Sequence, residues 1–172
     1  QGHKLAHSHL GKSRRIPKAS TLSESDVRDL IEAGVDSVEI VIAEAFDVIE
    51  DIVAERLIGQ MDWKNCRAAR ANGGRFNIYA TCDGLIHFER GQVDSFNSIS
   101  EEITLATVLP DTPVQAGDHV ATLKIIPFYV HDKFVDQAER FLQSMTVSVM
   151  PWLPDLRVEL VQSYNCLLYT SP

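Results

Sequence analysis

The sequence predicts an α+β fold, short mixed strands with three to four helices. Segments with period-two alternation, bounded by Gly, Pro and Asn turn signals, recur along the chain. Between them lie stretches whose apolar residues repeat at helical spacing. Of 172 residues 45% are hydrophobic, enough to close a core.

Leu5 and His7 alternate with Ala6 and Ser8, so the chain opens on a strand, and Gly11-Lys12-Ser13 turns it before Arg14 to Lys18 return. Ser23, with Asp26 three residues on, marks a helix start; its apolar face is Val27, Leu30 and Ile31, and Gly34 ends it. Val38, Ile40 and Ile42 then alternate as a strand. Asp47 and Glu50 form a capping pair for a second helix, with the stripe Ile49, Ile52, Val53 and Leu57 and a solvated acidic face opposite. Lys64 to Gly74 is expected as a connection, closed by the turn Asn72-Gly73-Gly74. Phe76 to Ala80 and Leu85 to Phe88 read as a hairpin across Cys82-Asp83-Gly84. Val93, Phe96 and Ile99 give a short helix with Asn97 on its flank.

Ile103 to Val108 is strand-like and is broken by Pro110 and Pro113. Ala116-Gly117-Asp118 turns the chain into a further strand ending at Pro127-Phe128. Asp132 opens the last helix, whose core stripe is Phe134, Val135, Ala138, Phe141 and Leu142. Val147 and Val149, then Val158, Leu160 and Val161, read as strands.

The formal charge of −8 argues against a general nucleic-acid binder, whose footprint is a basic stripe. Lys4, Lys12, Arg14, Arg15 and Lys18 nevertheless fall together with no acid among them. Such a stretch in an acidic protein points either to a small anionic ligand such as a phosphate or to a solvated, cation-protected strand edge. Cys66, Cys82 and Cys166 have no metal-like spacing, and their odd number argues against a disulfide framework. His3, His7 and His9 lie close together, with His7 and His9 on one strand face, but His87, His119 and His131 are scattered and add no ligand at metal-binding spacing. No apolar run approaches the roughly 20 residues needed to cross a bilayer, so no membrane partner is expected and the cytoplasm is the default location. No Gly-rich phosphate loop followed by Lys and Ser or Thr, and no nucleophile elbow, is present, so no catalytic residue is assigned.

Three ordered blocks carry a resemblance. Gly2-His3-Lys4-Leu5-Ala6-His7-Ser8, Ile103-Thr104-Leu105-Ala106-Thr107 and Val120-Ala121-Thr122-Leu123-Lys124-Ile125-Ile126-Pro127-Phe128 together resemble the amino-terminal region of bacterial molybdopterin-binding proteins fused to a MobA-like molybdenum-cofactor cytidylyltransferase, over residues 2 to 162. The strand, turn, helix and strand around Ala33-Gly34-Val35 also resemble part of the molybdopterin molybdotransferases. Cys166-Leu167-Leu168-Tyr169-Thr170-Ser171-Pro172 resembles a translated sequencing-adapter tail, and the chain begins with Gln1 rather than Met. It is therefore read as a fragment of a larger multidomain protein. The expected units are 1–63, a strand-turn-helix-strand unit with a following helix; 64–145, a β-rich subdomain with a C-terminal helix; 146–165, the start of a truncated molybdopterin-binding α/β domain; and 166–172, an artefactual tail.

The resemblance implies a role in molybdenum-cofactor biosynthesis: binding or presenting molybdopterin for downstream domains of the same polypeptide. CTP and Mg would enter only through the nucleotidyltransferase domain missing here. Molybdopterin carries a phosphate and a pterin edge, which call for cationic donors and amide-type partners respectively. Lys18, Asn77, Asn97, Thr104, Thr107 and Lys124 are the ligand-binding candidates in the resembling blocks. Lys124 lies in a strongly apolar strand and must reach solvent, an acid or an anion. Phe76 precedes Asn77, where the family often has Ala or another small residue; Asn97 could equally cap its helix or bond the backbone. The alternative function is a structural or dimerisation module, which leaves a homo-oligomer open.

Overall fold

The computed structural model describes residues 4–152. Its class is α+β, with helices and many short strands in several small sheets.

A small N-terminal unit comes first, made of β1 (Lys4–Leu5), β2 (His9–Leu10), β3 (Arg15–Ile16), α1 (Glu24–Glu32) and β4 (Ile40–Val41). Strands β2 and β3 form a hairpin across the expected Gly11 to Ser13 turn, and β1 pairs antiparallel with β4. Ser23 and Asp26 form a complete capping box at α1. Gly34, at φ 77°, closes the helix while Val35 N–H reaches back to the Leu30 carbonyl at 3.0 Å. The core is only Leu5, Ile16 and Leu30, with Leu22, Val35 and Val38 against it. Val27 and Ile31, expected on the buried face, are exposed; Asp26 takes the inward position beside Leu30 because the cap and Arg14 satisfy its carboxylate. The opening strand is also shorter than its alternation implies: His7 lies outside it, exposed and 3.1 Å from Glu39.

The larger body begins with β5 (Asp47–Ile49), α2 (Glu50–Ile58), β6 (Asp62–Lys64), β7 (Cys66–Ala71), β8 (Arg75–Ala80), β9 (Gly84–His87) and α3 (Arg90–Asn97). It continues with β10 (Ile103–Thr107), β11 (Pro113–Val114), β12 (His119–Ile125), β13 (Tyr129–His131), α4 (Asp132–Leu142) and β14 (Thr146–Pro151). One antiparallel sheet has the order β10-β12-β8-β7. A second has the order β11-β9-β14-β6, with β14 antiparallel to β9 and parallel to β6. Strands β5 and β13 pair separately. Leu105, Leu123 and Ile78 from the first sheet, Ile86 and Val149 from the second, and α2, α3 and α4 enclose one continuous apolar core.

Several expectations are corrected. The segment from Lys64 to Gly74 is mostly strand, not connection: Cys-Arg-Ala-Ala-Arg-Ala lacks the β-branched and aromatic residues that mark a strand, and β7 exists because β8 supplies a complete ladder at the sheet edge. The Asn72-Gly73-Gly74 turn is where it was expected, with positive φ at both glycines. Strands β8 and β9 are not a hairpin; Cys82-Asp83-Gly84 carries the chain from one sheet to the other. Asp47 is not a cap but part of β5, and α2 begins at Glu50 with no side-chain cap. Its buried face is Glu50, Val53, Ala54 and Leu57, so one residue of the supposedly solvated acidic face is inside, while Ile52 is exposed. Strand β12 ends at Ile125, before Pro127.

Strand β14 lies between β9 and β6, with Val147 and Val149 in the common core. The expected boundary at 63/64 falls within β6, and the one at 145/146 comes immediately before β14, which pairs with β6. The strand expected over Val158 to Val161, Cys166 and the 166–172 tail lie outside the described residues.

Candidate functional site

The N-terminal unit and one end of the β10-β12-β8-β7 sheet enclose a cleft of about 530 Å³. Lys4 comes from β1 and Lys18 from the segment after β3; Arg75 and Lys124 come from β8 and β12; Glu50 comes from the first position of α2. The turn at Gly73-Gly74 brings these elements close. At Gly74, φ is 58°, and a Cβ there would lie 2.9 Å from the Glu50 Cβ and 3.0 Å from the Ile125 Cβ, so only glycine fits.

Arg75 and Lys124 are direct register partners across the antiparallel β8–β12 ladder. Like charges directly opposite in this arrangement repel. Among the described residues no carboxylate lies within ion-pairing distance of Lys4, Lys18, Arg75 or Lys124, nor of Arg15, Arg67, Arg90, Lys133 or Arg140 outside the cleft, whereas Lys12, Arg14, Arg28, Arg56, Lys64 and Arg70 are all paired. Four of the five cations in the basic stretch fall into two groups, and Arg15 joins neither. Lys12 and Arg14 bind Glu32 and Asp26 of α1, while Lys4 and Lys18 face the cleft.

Two carboxylates also line it. Asp51 is engaged, accepting the Gly74 N–H at 3.0 Å and lying 3.4 Å from Arg70. Glu50 is buried, and loss of solvent pushes its carboxyl above the ordinary range; Lys4 opposes that shift, Asp51 adds to it and Lys18 opposes it. Four cations against two carboxylates leave the cleft positive in a protein that is negative overall.

Of the six residues singled out from the sequence, Lys18 and Lys124 line this cleft. Thr104 stands directly opposite Lys124 on β10 and so shares its sheet face. Asn77 shares that face too, two residues along β8 from Arg75, where its Oδ1 accepts a 3.3 Å hydrogen bond from Thr122 Oγ1; His119 Nε2 lies 2.9 Å from the same hydroxyl. Asn97 serves the fold: its amide donates to the Leu105 carbonyl at 3.0 Å and accepts from the Leu105 N–H at 2.8 Å, pinning α3 to β10. Thr107 projects from the opposite side of β10, at the far end of the strand, beside a separate groove of about 160 Å³.

Compared with protein-family models, curated proteins and solved structures, the chain matches none.

Lys4, Arg75 and Glu50 are cleft residues that were not chosen from the sequence. Lys4 was visible in the basic stretch, but Arg75 acquires meaning only through its pairing with Lys124, and cross-strand register cannot be read from one strand alone. Among the described residues no group of three His, Cys, Asp or Glu side chains is placed to hold a metal. The donors that converge here are ammonium and guanidinium groups, and their common chemistry is anion binding.

Proposed function

We propose that this chain binds or presents molybdopterin in molybdenum-cofactor biosynthesis, with the ligand's phosphate held in the cleft by Lys4, Lys18, Arg75 and Lys124. The observation that carries the phosphate half of this reading is the convergence on one cleft of four cations that have no ion-pair partner among the described residues. The molybdopterin half rests on the ordered blocks around Lys4, Thr104 and Lys124, which resemble the family and supply three of the side chains at or beside the cleft. In this reading cytidylyl transfer, with its CTP and Mg, belongs to a downstream domain of the same polypeptide, and the work proceeds in the cytoplasm. No helix among the described residues is long and apolar enough to cross a membrane.

Molybdopterin titrated against the full chain under anaerobic conditions tests the proposal. Saturable binding is expected, weakened roughly tenfold or more by Lys124→Ala or Arg75→Ala, since each removes a charge-assisted contact. Binding that is absent from the unsubstituted chain, or unchanged in both variants, overturns it.

A second reading, a structural or dimerisation module, is favoured by the exposure of Ile40, Ile42, Phe46 and Ile52. It predicts concentration-dependent dimers in sedimentation equilibrium that an Ile52→Lys or Phe46→Lys substitution dissociates.

A further inference from the structure

Glu50 is the least expected member of the cleft. It opens α2, where a carboxylate suits the helix dipole, yet only 7% of it is exposed, and it sits among the cations at the cleft wall. Its surroundings act on it through burial and through the charges of Lys4, Asp51 and Lys18; among the described residues no hydrogen-bond donor reaches its carboxyl. Its carboxyl oxygens open onto the cleft, since neither is fully buried, while burial of the rest of the side chain makes their charge costly. The acceptor faces a cavity whose volume falls within the range of small-molecule sites.

A ligand completes this arrangement if it carries an anionic group for the lysines and, at a distance from it, two adjacent N–H donors for the carboxylate. A pterin has that edge: its ring N–H and exocyclic amino group lie side by side, and a carboxylate accepts such a pair with both oxygens, as it accepts the two N–H groups of an arginine fork. We propose that Glu50 is a specificity-determining residue, accepting the paired N–H donors of a pterin edge while the surrounding cations hold the ligand's anion. The inference rests on the binding function proposed above and names the residue that tells a pterin from other anions.

Three probes on the full chain separate the two ideas: inorganic phosphate, pterin-6-carboxylate followed by its fluorescence, and benzoate, which has the carboxylate without the donor edge. The unsubstituted chain should bind all three and prefer pterin-6-carboxylate to benzoate by roughly tenfold or more. Glu50→Gln replaces one acceptor oxygen with a donor of nearly the same size. It should erase the preference while leaving phosphate bound as well as before or more tightly, a result that also shows the variant is folded. A preference that survives Glu50→Gln, or phosphate binding with no pterin preference in the unsubstituted chain, overturns the role of Glu50 and leaves the anion site standing. Failure of the unsubstituted chain to bind any of the three overturns both.

Discussion

The two halves of this molecule are held together by different physics. Residues 47–151 enclose a broad apolar core in which strands from two sheets and three helices bury Leu57, Ile86, Phe96, Ile125 and Leu142 almost completely. The N-terminal unit has an apolar core of three buried residues, Leu5, Ile16 and Leu30, and compensates with polar fastenings. Asp26 accepts from Ser23 and Arg14, Asp29 binds Ser13, and Lys12 reaches Glu32 at 3.0 Å, so each joins the β2–β3 hairpin or the preceding turn to α1. The lesson is positional: the cleft takes Lys4 and Lys18 from the polar-fastened half and Glu50, Arg75 and Lys124 from the apolar half. A ligand bridging the seam would tie the polar-fastened unit to the apolar-cored one.

The sharpest way to break the larger half is at Gly84, where a Cβ would run into the Met150 carbonyl in the adjacent strand. Backbone cannot retreat there without parting β9 from β14. Gly84→Ala should cost about 3 kcal/mol, read as a lower denaturant midpoint at unchanged slope, or prevent folding outright. The comparison with Gly34 sharpens the point. That glycine has nothing within 4 Å of a Cβ, so Gly34→Ala in the small unit should cost only the positive-φ penalty of about 1 kcal/mol.

A smaller loss is expected at Arg56. Its guanidinium bonds Glu139 at 2.9 Å and Asp132 and Asp136 at 3.0 Å, joining α2 to α4, and these carboxylates raise its pKa still further above the ordinary arginine value, the Glu139 hydrogen bond first. Arg56→Met keeps the volume but leaves three acids facing one another. It should destabilise by about 2 kcal/mol, less in high salt, where the acids screen one another.

These contrasts also separate what was legible in the sequence from what was not. Elements with a strong local signal were readable: the Ser23 and Asp26 capping box, the α4 stripe at Val135, Ala138 and Leu142, and strands β10 and β12. Elements fixed by long-range pairing were not. Strand β7 has no strand composition of its own, β8 and β9 look like a hairpin until their partners are known, and Asp47 carries the signature of a cap while serving a strand that needs β13. The site divides along the same line. Lys18 and Lys124 could be chosen by charge and context, but Arg75 and Glu50 became visible only when register and burial were known. Asn97 showed the reverse case, a residue with the right chemistry already used by its neighbour's backbone.

The halves should also respond oppositely to pH. In the small unit Asp26 is lowered from 3.8 to about 2, chiefly by the Ser23 hydroxyl and then by the Ser23 backbone and Arg14; Asp29 is lowered as well, chiefly by Ser13. A carboxyl depressed in the folded state contributes stability that is complete above its unfolded value and lost as pH falls through its folded value. The N-terminal unit should therefore loosen between about pH 4 and pH 2, visible as loss of amide protection in α1 ahead of α2, and Asp26→Asn should remove much of that dependence while lowering protection at neutral pH. Glu50 behaves the other way. Its raised pKa makes ionisation a cost that begins as pH rises past the ordinary 4.5, so without ligand Glu50→Gln should stabilise the chain at pH 7 and change little at pH 3.

The smallest effect expected is the most diagnostic of the seam. Lys124 opposes Arg75 across the ladder, and among the described residues no carboxylate lies within ion-pairing distance of either, so in the free protein the pair repels. Lys124→Ala should then raise the stability of the unliganded chain by a few tenths of a kcal/mol, although most substitutions in a strand do the reverse. Phosphate at ten times its dissociation constant should stabilise the unsubstituted protein by about 1.4 kcal/mol, and should do so first in amide protection of the N-terminal unit, which the anion fastens through Lys4 and Lys18. In Lys124→Ala that increment should shrink or vanish. A variant more stable alone and less responsive to phosphate has lost an anion site, whereas one less stable in both conditions has lost only packing; the sign of the unliganded shift decides between them.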